Sequence, residues 1–248
     1  MRIRLTIAYD GTRYHGWQVQ PGKPTIQGYL EEAIEKICSL KTVVHGSGRT
    51  DAGVHATGQT AHFDAPDKTL GLPWQKALNS ILPSSIRIVR AQSAPKDFHA
   101  RFSALDKTYS YTLWTENNYV LPQRRNYVWK TGTLDMKAMK AALEYIPGRR
   151  DFACFMNTGT LVNSTVRNIM QAWFSQGLHP QETVIRITAD GFLKQMVRNI
   201  VGTLVWAGRG RLAPEEVKHL ILKKDRSLVP ATAPALGLCL EQVNYPDD

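Results

Sequence analysis

Three glycines fall within the eight residues from Gly46 to Gly53, a density that neither a helix nor a strand interior tolerates. The run Gly46-Ser47-Gly48-Arg49-Thr50-Asp51-Ala52-Gly53-Val54-His55-Ala56 frees the backbone to take positive φ and to approach a neighbour closely. Thr42-Val43-Val44-His45 reads as a strand entering this stretch, and Gln59-Thr60-Ala61-His62-Phe63 as a strand leaving it. The run is therefore a loop mounted between two sheet elements, and loops on rigid scaffolds are where chemistry is placed. It holds one carboxylate, Asp51, two residues after one guanidinium, Arg49. A solvated turn has no use for that pairing, whereas a catalytic carboxylate kept ionised does. Phosphate cradling is disfavoured, because the Lys-Ser/Thr ending of a P-loop is missing and Asp51 would repel phosphate. The G-x-S-x-G spacing of a nucleophile elbow is also missing, although Ser47 lies between glycines. A turn in which Arg49 and Asp51 merely pair is the structural alternative, and the catalytic reading is preferred.

The rest of the chain reads as a mixture of strands and helices without regular βαβ spacing. Ile3, Leu5, Ile7 and Tyr9 alternate as in a half-buried strand over residues 2–9. A loop rich in Gly, Pro and aromatic residues follows, up to the N-cap candidate Thr25. Ile26, Tyr29, Leu30, Ala33, Ile34 and Ile37 then recur at helical spacing. A short helix at about 73–81 and a strand at 86–89 complete a first unit. A second unit opens on the alternating strand 107–113, with a helix near 135–146 and strands near 165–174 and 182–189. The longest helix is expected over about 191–207, with Phe192, Leu193, Met196, Val197, Ile200, Val201, Leu204 and Val205 as one apolar stripe. Pro214 suits the first turn of a further helix bearing Val217, Leu220 and Ile221, and a strand near 236–243 closes the chain. The expected fold is α+β: two similar α/β units, 1–104 and 105–248, sharing a mainly antiparallel central sheet with helices packed on it.

Charge narrows the partner. The formal net charge is +10, with 13 basic and 8 acidic residues before residue 105 and 18 and 13 after it. The excess is thus spread through the folded chain, which suits a phosphate-rich partner, although a generic basic protein has the same balance. No stretch approaches the ~20 apolar residues needed to cross a bilayer, and the N-terminus lacks the apolar block of a signal peptide. Cys38, Cys154 and Cys239 are odd in number and widely spaced, as expected of buried thiols in a reducing cytoplasm.

Metal chemistry is not expected. His45, His55 and His62 lie near one another, but no HxxxH, H-x-E or CxxC pattern accompanies them, so each reads as a hydrogen-bonding residue. Phe98-His99-Ala100-Arg101-Phe102-Ser103 and Lys107-Thr108-Tyr109-Ser110-Tyr111 interleave aromatic rings with cations, a pattern for stacking on bases and tracking phosphates. Tyr109 and Tyr111 share one strand face and are equally readable as core. Arg198 falls on the polar flank of the expected long helix, either on the surface or as a cation reaching toward Asp51.

These motifs resemble the tRNA pseudouridine synthase A family. The likeness rests on GSGRTDAGVHA, on FHARFSA followed by Lys-Thr-Tyr, and on GFLKQMVRNIVG. It is extended by Tyr9-Asp10-Gly11 with Tyr14-x-Gly16-Trp17-Gln18, and by Ala231-Thr232-Ala233-Pro234-Ala235-x-Gly237-Leu238. The matches are collinear from residue 9 to about 245. The resemblance implies isomerisation of uridine to pseudouridine at positions 38, 39 and 40 in the anticodon stem-loop of tRNA. It implies a homodimeric cytoplasmic enzyme with its cleft between the two units and no cofactor. Asp51 takes the place of the family's essential aspartate and Tyr109 that of the tyrosine packed on the target uracil. Arg49 and Arg198 match basic residues flanking the aspartate, and Arg101, Lys107 and Leu238 fall in the remaining substrate-binding motifs. Lys107 stands where some relatives carry Arg, which bears on any bidentate contact there. A non-catalytic basic RNA-binding protein is the alternative, and a metal-dependent hydrolase is weaker because the ligand cluster is missing.

Overall fold

The computed structural model describes residues 1–159 and 162–246 and has the expected α+β character. Its chain contacts separate two compact units, one of Met1–Leu105 with the C-terminal segment from Cys239, the other of Asp106–Leu238.

In the first unit, β1 (Arg2–Tyr9) lies between two antiparallel neighbours, β3 (His55–Asp64) and β4 (Ile86–Ala94). The two-residue β2 (His45–Gly46) pairs antiparallel with β3, placing His45 opposite His62. The alternation in β1 is realised in burial: Ile3, Leu5, Ile7 and Tyr9 point inward. They form the core with the buried sides of α1 (Ile26–Cys38) and α2 (Trp74–Ile81), where Phe63 meets Trp74 edge to face at 4.9 Å between ring centroids. Thr25 caps α1 by accepting from Gly28 N at 3.3 Å, and Ser39 ends it in the left-handed region at φ 53°.

The last strand, β10 (Leu238–Asn244), runs parallel to β3, with Cys239 opposite His55 and Leu240 opposite Ala56. That pairing carries the C-terminal segment into the first unit, a grouping that sequence order alone does not suggest. Gly58 makes it possible. The β1–β3 register shifts between Ile7 and Tyr9, and a Cβ at Gly58 would stand 2.1 Å from the Glu241 carbonyl oxygen.

The second unit is built on β5 (Asp106–Trp114), β9 (Glu182–Ala189), β8 (Val166–Gln176) and β7 (Gly148–Asp151), each antiparallel to the next. The short β6 (Trp129–Lys130) pairs in parallel with β5. Three helices complete it: α3 (Met136–Leu143) and α4 (Met196–Gly208) pack on each other, and α5 (Glu216–Lys223) packs by β7. Val217, Leu220 and Ile221 are buried as their spacing indicated.

Two expected elements come out differently. Residues 42–44 are not strand, because the Val44 amide donates to the Glu31 carboxylate at 3.0 Å instead of to a ladder, and Val43 is exposed. The long helix begins at Met196, not near residue 191. Gln195 sits in the left-handed region at φ 61°, so Phe192 and Leu193 lie outside the helix, before the turn at residues 194–195, although they continue the apolar pattern. All three cysteines are free thiols; Cys38 and Cys154 are buried and Cys239 partly so, and burial pushes Cys154 and Cys239 up to about 12. Among the described residues no helix is long and apolar enough to cross a membrane.

Gly58→Ala should destabilise the protein by about 1–3 kcal/mol, since either β3 or β10 must give way. Urea unfolding reads this as a lower midpoint at constant slope. An unchanged midpoint would show that the two strands separate without cost.

Candidate active site

The loop that carries Asp51 spans the gap from β2 to β3 and is held from beneath by buried polar groups. Ser47 donates its amide to Thr60 O at 2.7 Å and its hydroxyl to Gln59 Oε1 at 2.7 Å. Gln59 returns a bond from Nε2 to Gly48 O at 3.0 Å. Tyr9 Oη and Thr50 Oγ1 share a hydrogen bond of 2.8 Å. Ser47 and Gln59 are wholly buried, so each of these bonds satisfies a group that would otherwise carry a desolvation cost of about 1–3 kcal/mol. Burial also holds the Tyr9 phenol well above its ordinary range, which keeps it neutral.

A second segment closes over the loop from the other side. Trp17 N donates to Thr50 O at 3.0 Å, and Gly53 N donates to Tyr14 O at 3.3 Å. Gly16 lies at φ +88°, where a Cβ would stand 2.5 Å from Thr50 O and 3.1 Å from the Asp51 carbonyl carbon. The sequence motif Tyr9-Asp10-Gly11 with Tyr14-x-Gly16-Trp17 is thus one half of a clamp whose other half is Gly46–Val54. Val54 N donates back to Asp51 O at 3.1 Å, which tightens the turn after the carboxylate. Asp51 itself is half-buried. Arg49 is exposed, and its Nη1 donates to Gln18 Oε1 at 2.8 Å, so the motif residue Gln18 orients the guanidinium. Tyr9, Gly16, Trp17 and Gln59 were not among the site residues read from the sequence. The glycines of the first motif were the available signal for them.

The second unit carries its own group of expected residues. Tyr109 lies in β5 opposite Ile187 of β9, and its ring meets Phe192 edge to face at 5.1 Å. Only 7% of it is exposed. Tyr111, two residues on, is core: it is wholly buried and donates its hydroxyl to Pro234 O at 2.7 Å. Lys107 is half-buried opposite Ala189. Arg198 is half-buried on α4 and donates from Nε to Ala233 O at 2.7 Å, while Ala233 N donates back to Arg198 O at 3.2 Å. Asn199 is wholly buried beside it and accepts from Thr232 Oγ1 at 2.7 Å. The Ala231–Ala235 motif is therefore lashed to α4, and it leads through a short turn to the buried Leu238 at the start of β10. Arg101 lies in the first unit, on an exposed turn with its guanidinium 5.6 Å from the Phe102 ring centroid.

The histidines act as acceptors. His55 Nδ1 takes the Gly11 amide at 3.1 Å. His62 Nδ1 takes the Ala100 amide at 3.1 Å, and His99 Nδ1 takes the amides of Arg101 and Phe102 at 3.1 and 3.3 Å. The rings of His45, His62 and His99 lie 4.7 to 5.7 Å apart, yet no group of described residues has the geometry of a metal site. Burial is the main cause that lowers His62 to about 4, with His99, Arg2 and His45 adding to it against Asp64. Burial lowers His99 too, with His45, Arg2 and Arg101 adding to it. Their ordinary value is 6.5, so below that pH the unfolded chain binds more protons than the folded one. Stability from this cluster should be complete above about pH 6.5 and lost as pH falls toward 4. Scanning calorimetry across this window should show Tm falling with pH, and less steeply in His62→Gln. Parallel Tm curves for the two proteins would contradict it.

Comparison with known proteins agrees with the motif reading. A family model described as tRNA pseudouridine synthase matches residues 5–103 and 141–246. The tRNA pseudouridine synthase A of Maridesulfovibrio salexigens is 52% identical, over 98% of this chain and 90% of that one. The protein of the same description in Solidesulfovibrio magneticus is 51% identical over 98% and 91%, and that of Geobacillus kaustophilus 42% over 100% and 95%. Matches of this extent and identity, over both units, place the chain in the tRNA pseudouridine synthase family, the isomerases that make pseudouridine in tRNA.

Proposed function

We propose that this chain converts uridine to pseudouridine at positions 38, 39 and 40 of the tRNA anticodon stem-loop, with Asp51 as its catalytic carboxylate. The observation that carries the reading is the clamped loop: two segments and four side chains fix the backbone on either side of one half-buried carboxylate. The reaction breaks the C1′–N1 bond, turns the uracil, and joins C1′ to C5. The hydrogen on C5 leaves as a proton and N1 gains one, so substrate and product are isomers and no redox partner is consumed. An ionised Asp51 serves either by adding to C1′ or by removing the 2′-hydrogen. Either role needs the carboxylate held within a fraction of an ångström of its target, which a free glycine loop cannot do.

The target base must leave its stack to be reached. In this reading the Tyr109 ring, set against Phe192, packs on the uracil while it turns. Arg49, Arg101, Lys107 and Arg198 supply cations for the phosphates and the charged intermediate, and Leu238 contributes apolar contact. The net charge of +10 supports a phosphate-rich substrate. The enzyme acts in the cytoplasm as a homodimer, the assembly that the family resemblance implies. No cofactor enters this scheme.

Tritium at C5 of uridine in tRNA reports the reaction directly. The protein should release many equivalents per chain, whereas a pure RNA-binding protein would release none. Asp51→Asn should bind tRNA within about twofold of the parent and lose about 10³-fold or more in release. Residual multiple turnover near the parent rate would remove the carboxylate from the mechanism. Gly16→Ala should lower kcat about 100-fold with KM for tRNA little changed, because the added Cβ displaces the Thr50–Asp51 backbone. An unaltered kcat there would show that loop position is not limiting.

A further inference from the structure

Four consecutive amides in the turn after Phe98 each have a partner, and two histidines supply most of them. Ala100 N goes to His62 Nδ1, Arg101 N and Phe102 N to His99 Nδ1, and Ser103 N to His99 O at 2.9 Å. His99 N in turn donates to Ser103 Oγ at 2.9 Å, and Tyr245 donates its hydroxyl to Ala100 O at 2.6 Å. Irregular surface backbone is ordinarily satisfied by water, so a turn pinned at every residue is built for shape. What this turn shows to solvent is a benzene ring. Phe102 is 76% exposed, the most exposed aromatic side chain among the described residues.

Its surroundings are specific as well. The Phe102 ring packs against the His99 imidazole at 4.4 Å between centroids, the two planes tilted by 36°. The Arg101 guanidinium stands 5.6 Å from the ring centroid. A single exposed apolar residue needs no explanation by itself. A ring held against an imidazole, beside a cation and on a turn with no slack, meets the requirements for stacking an unpaired base next to a phosphate. Pinning the turn in advance removes the ordering cost that a flexible loop would meet on binding.

We propose that the Phe98–Ser103 turn is a base-stacking platform for tRNA, in which Phe102 stacks on an unpaired base and Arg101 neutralises the adjoining phosphate. This rests on tRNA being the substrate. Phe102 is then a binding residue for RNA outside the catalytic clamp, and its loss weakens association without slowing the chemical step.

The test is a series at position 102, assayed by tritium release and by direct tRNA binding. Phe102→Ala and Phe102→Leu should raise KM and Kd for tRNA about tenfold, with kcat within about twofold, as loss of one stacked base does. Phe102→Tyr and Phe102→Trp should restore parent values, since any aromatic face serves. The indole added by Phe102→Trp should give fluorescence that tRNA quenches beyond the parent's change. Parent-like KM and Kd in Phe102→Ala and Phe102→Leu would overturn the proposal while leaving pseudouridine formation intact. A shift of either variant to a smaller species in sedimentation would also overturn it, assigning the ring to a contact between copies of the chain. Absence of release by the parent protein would instead remove the tRNA reading itself.

Discussion

The hydrogen bond between Tyr9 and Thr50, with Gly16 pressed against the same peptide, is the constraint on which the rest of the site depends. Glycine gives the Gly46–Gly53 loop freedom to make its turns, and that freedom alone would leave Asp51 mobile. The fold removes it again. Tyr9 is the last residue of β1, Gln59 is in β3, and Trp17 lies shortly before α1, so the loop is referred to three elements of the first unit's core. Burial makes these bonds effective, because water cannot substitute for a partner at Ser47 or Gln59. A carboxylate set by buried neutral groups keeps its position whatever the state of the surface.

The second unit uses the same device with different parts. Arg198 and Ala233 exchange bonds, Thr232 reaches Asn199, and Tyr111 reaches Pro234. The Ala231–Ala235 segment has almost no regular structure, yet side chains from α4 and β5 hold it in place. A close approach supports this: a Cβ at Gly202 would stand 2.5 Å from Ala231 O. Arg198 is therefore neither a free surface cation nor a flexible one. In both units, residues that first read as separate motifs are the two faces of one contact.

Much of this was legible in the sequence where a residue's role is set by its neighbours in the chain. The alternation of β1, the cap at Thr25 and the stripe of α1 need only local spacing. The glycine loop announced itself by composition. What escaped was decided at a distance. Glu31 takes the amide of Val44 and so dissolves a strand that residues 42–45 had the composition to form. Gln195 turns left-handed in the midst of an apolar pattern that runs on unbroken through it. β10 leaves the second half of the chain to pair with β3. The histidines read as hydrogen-bonding residues, but not their partners: His62 takes an amide 38 residues away.

Amide hydrogen exchange across the Asp51 loop tests the central claim most directly. Ser47, Gly53 and Val54 donate to Thr60, Tyr14 and Asp51. If the clamp holds, those three amides exchange at rates close to the paired amides of β3 and far below the rate of an unpaired loop amide. Exchange of Ser47, Gly53 and Val54 as fast as an open loop would contradict the account.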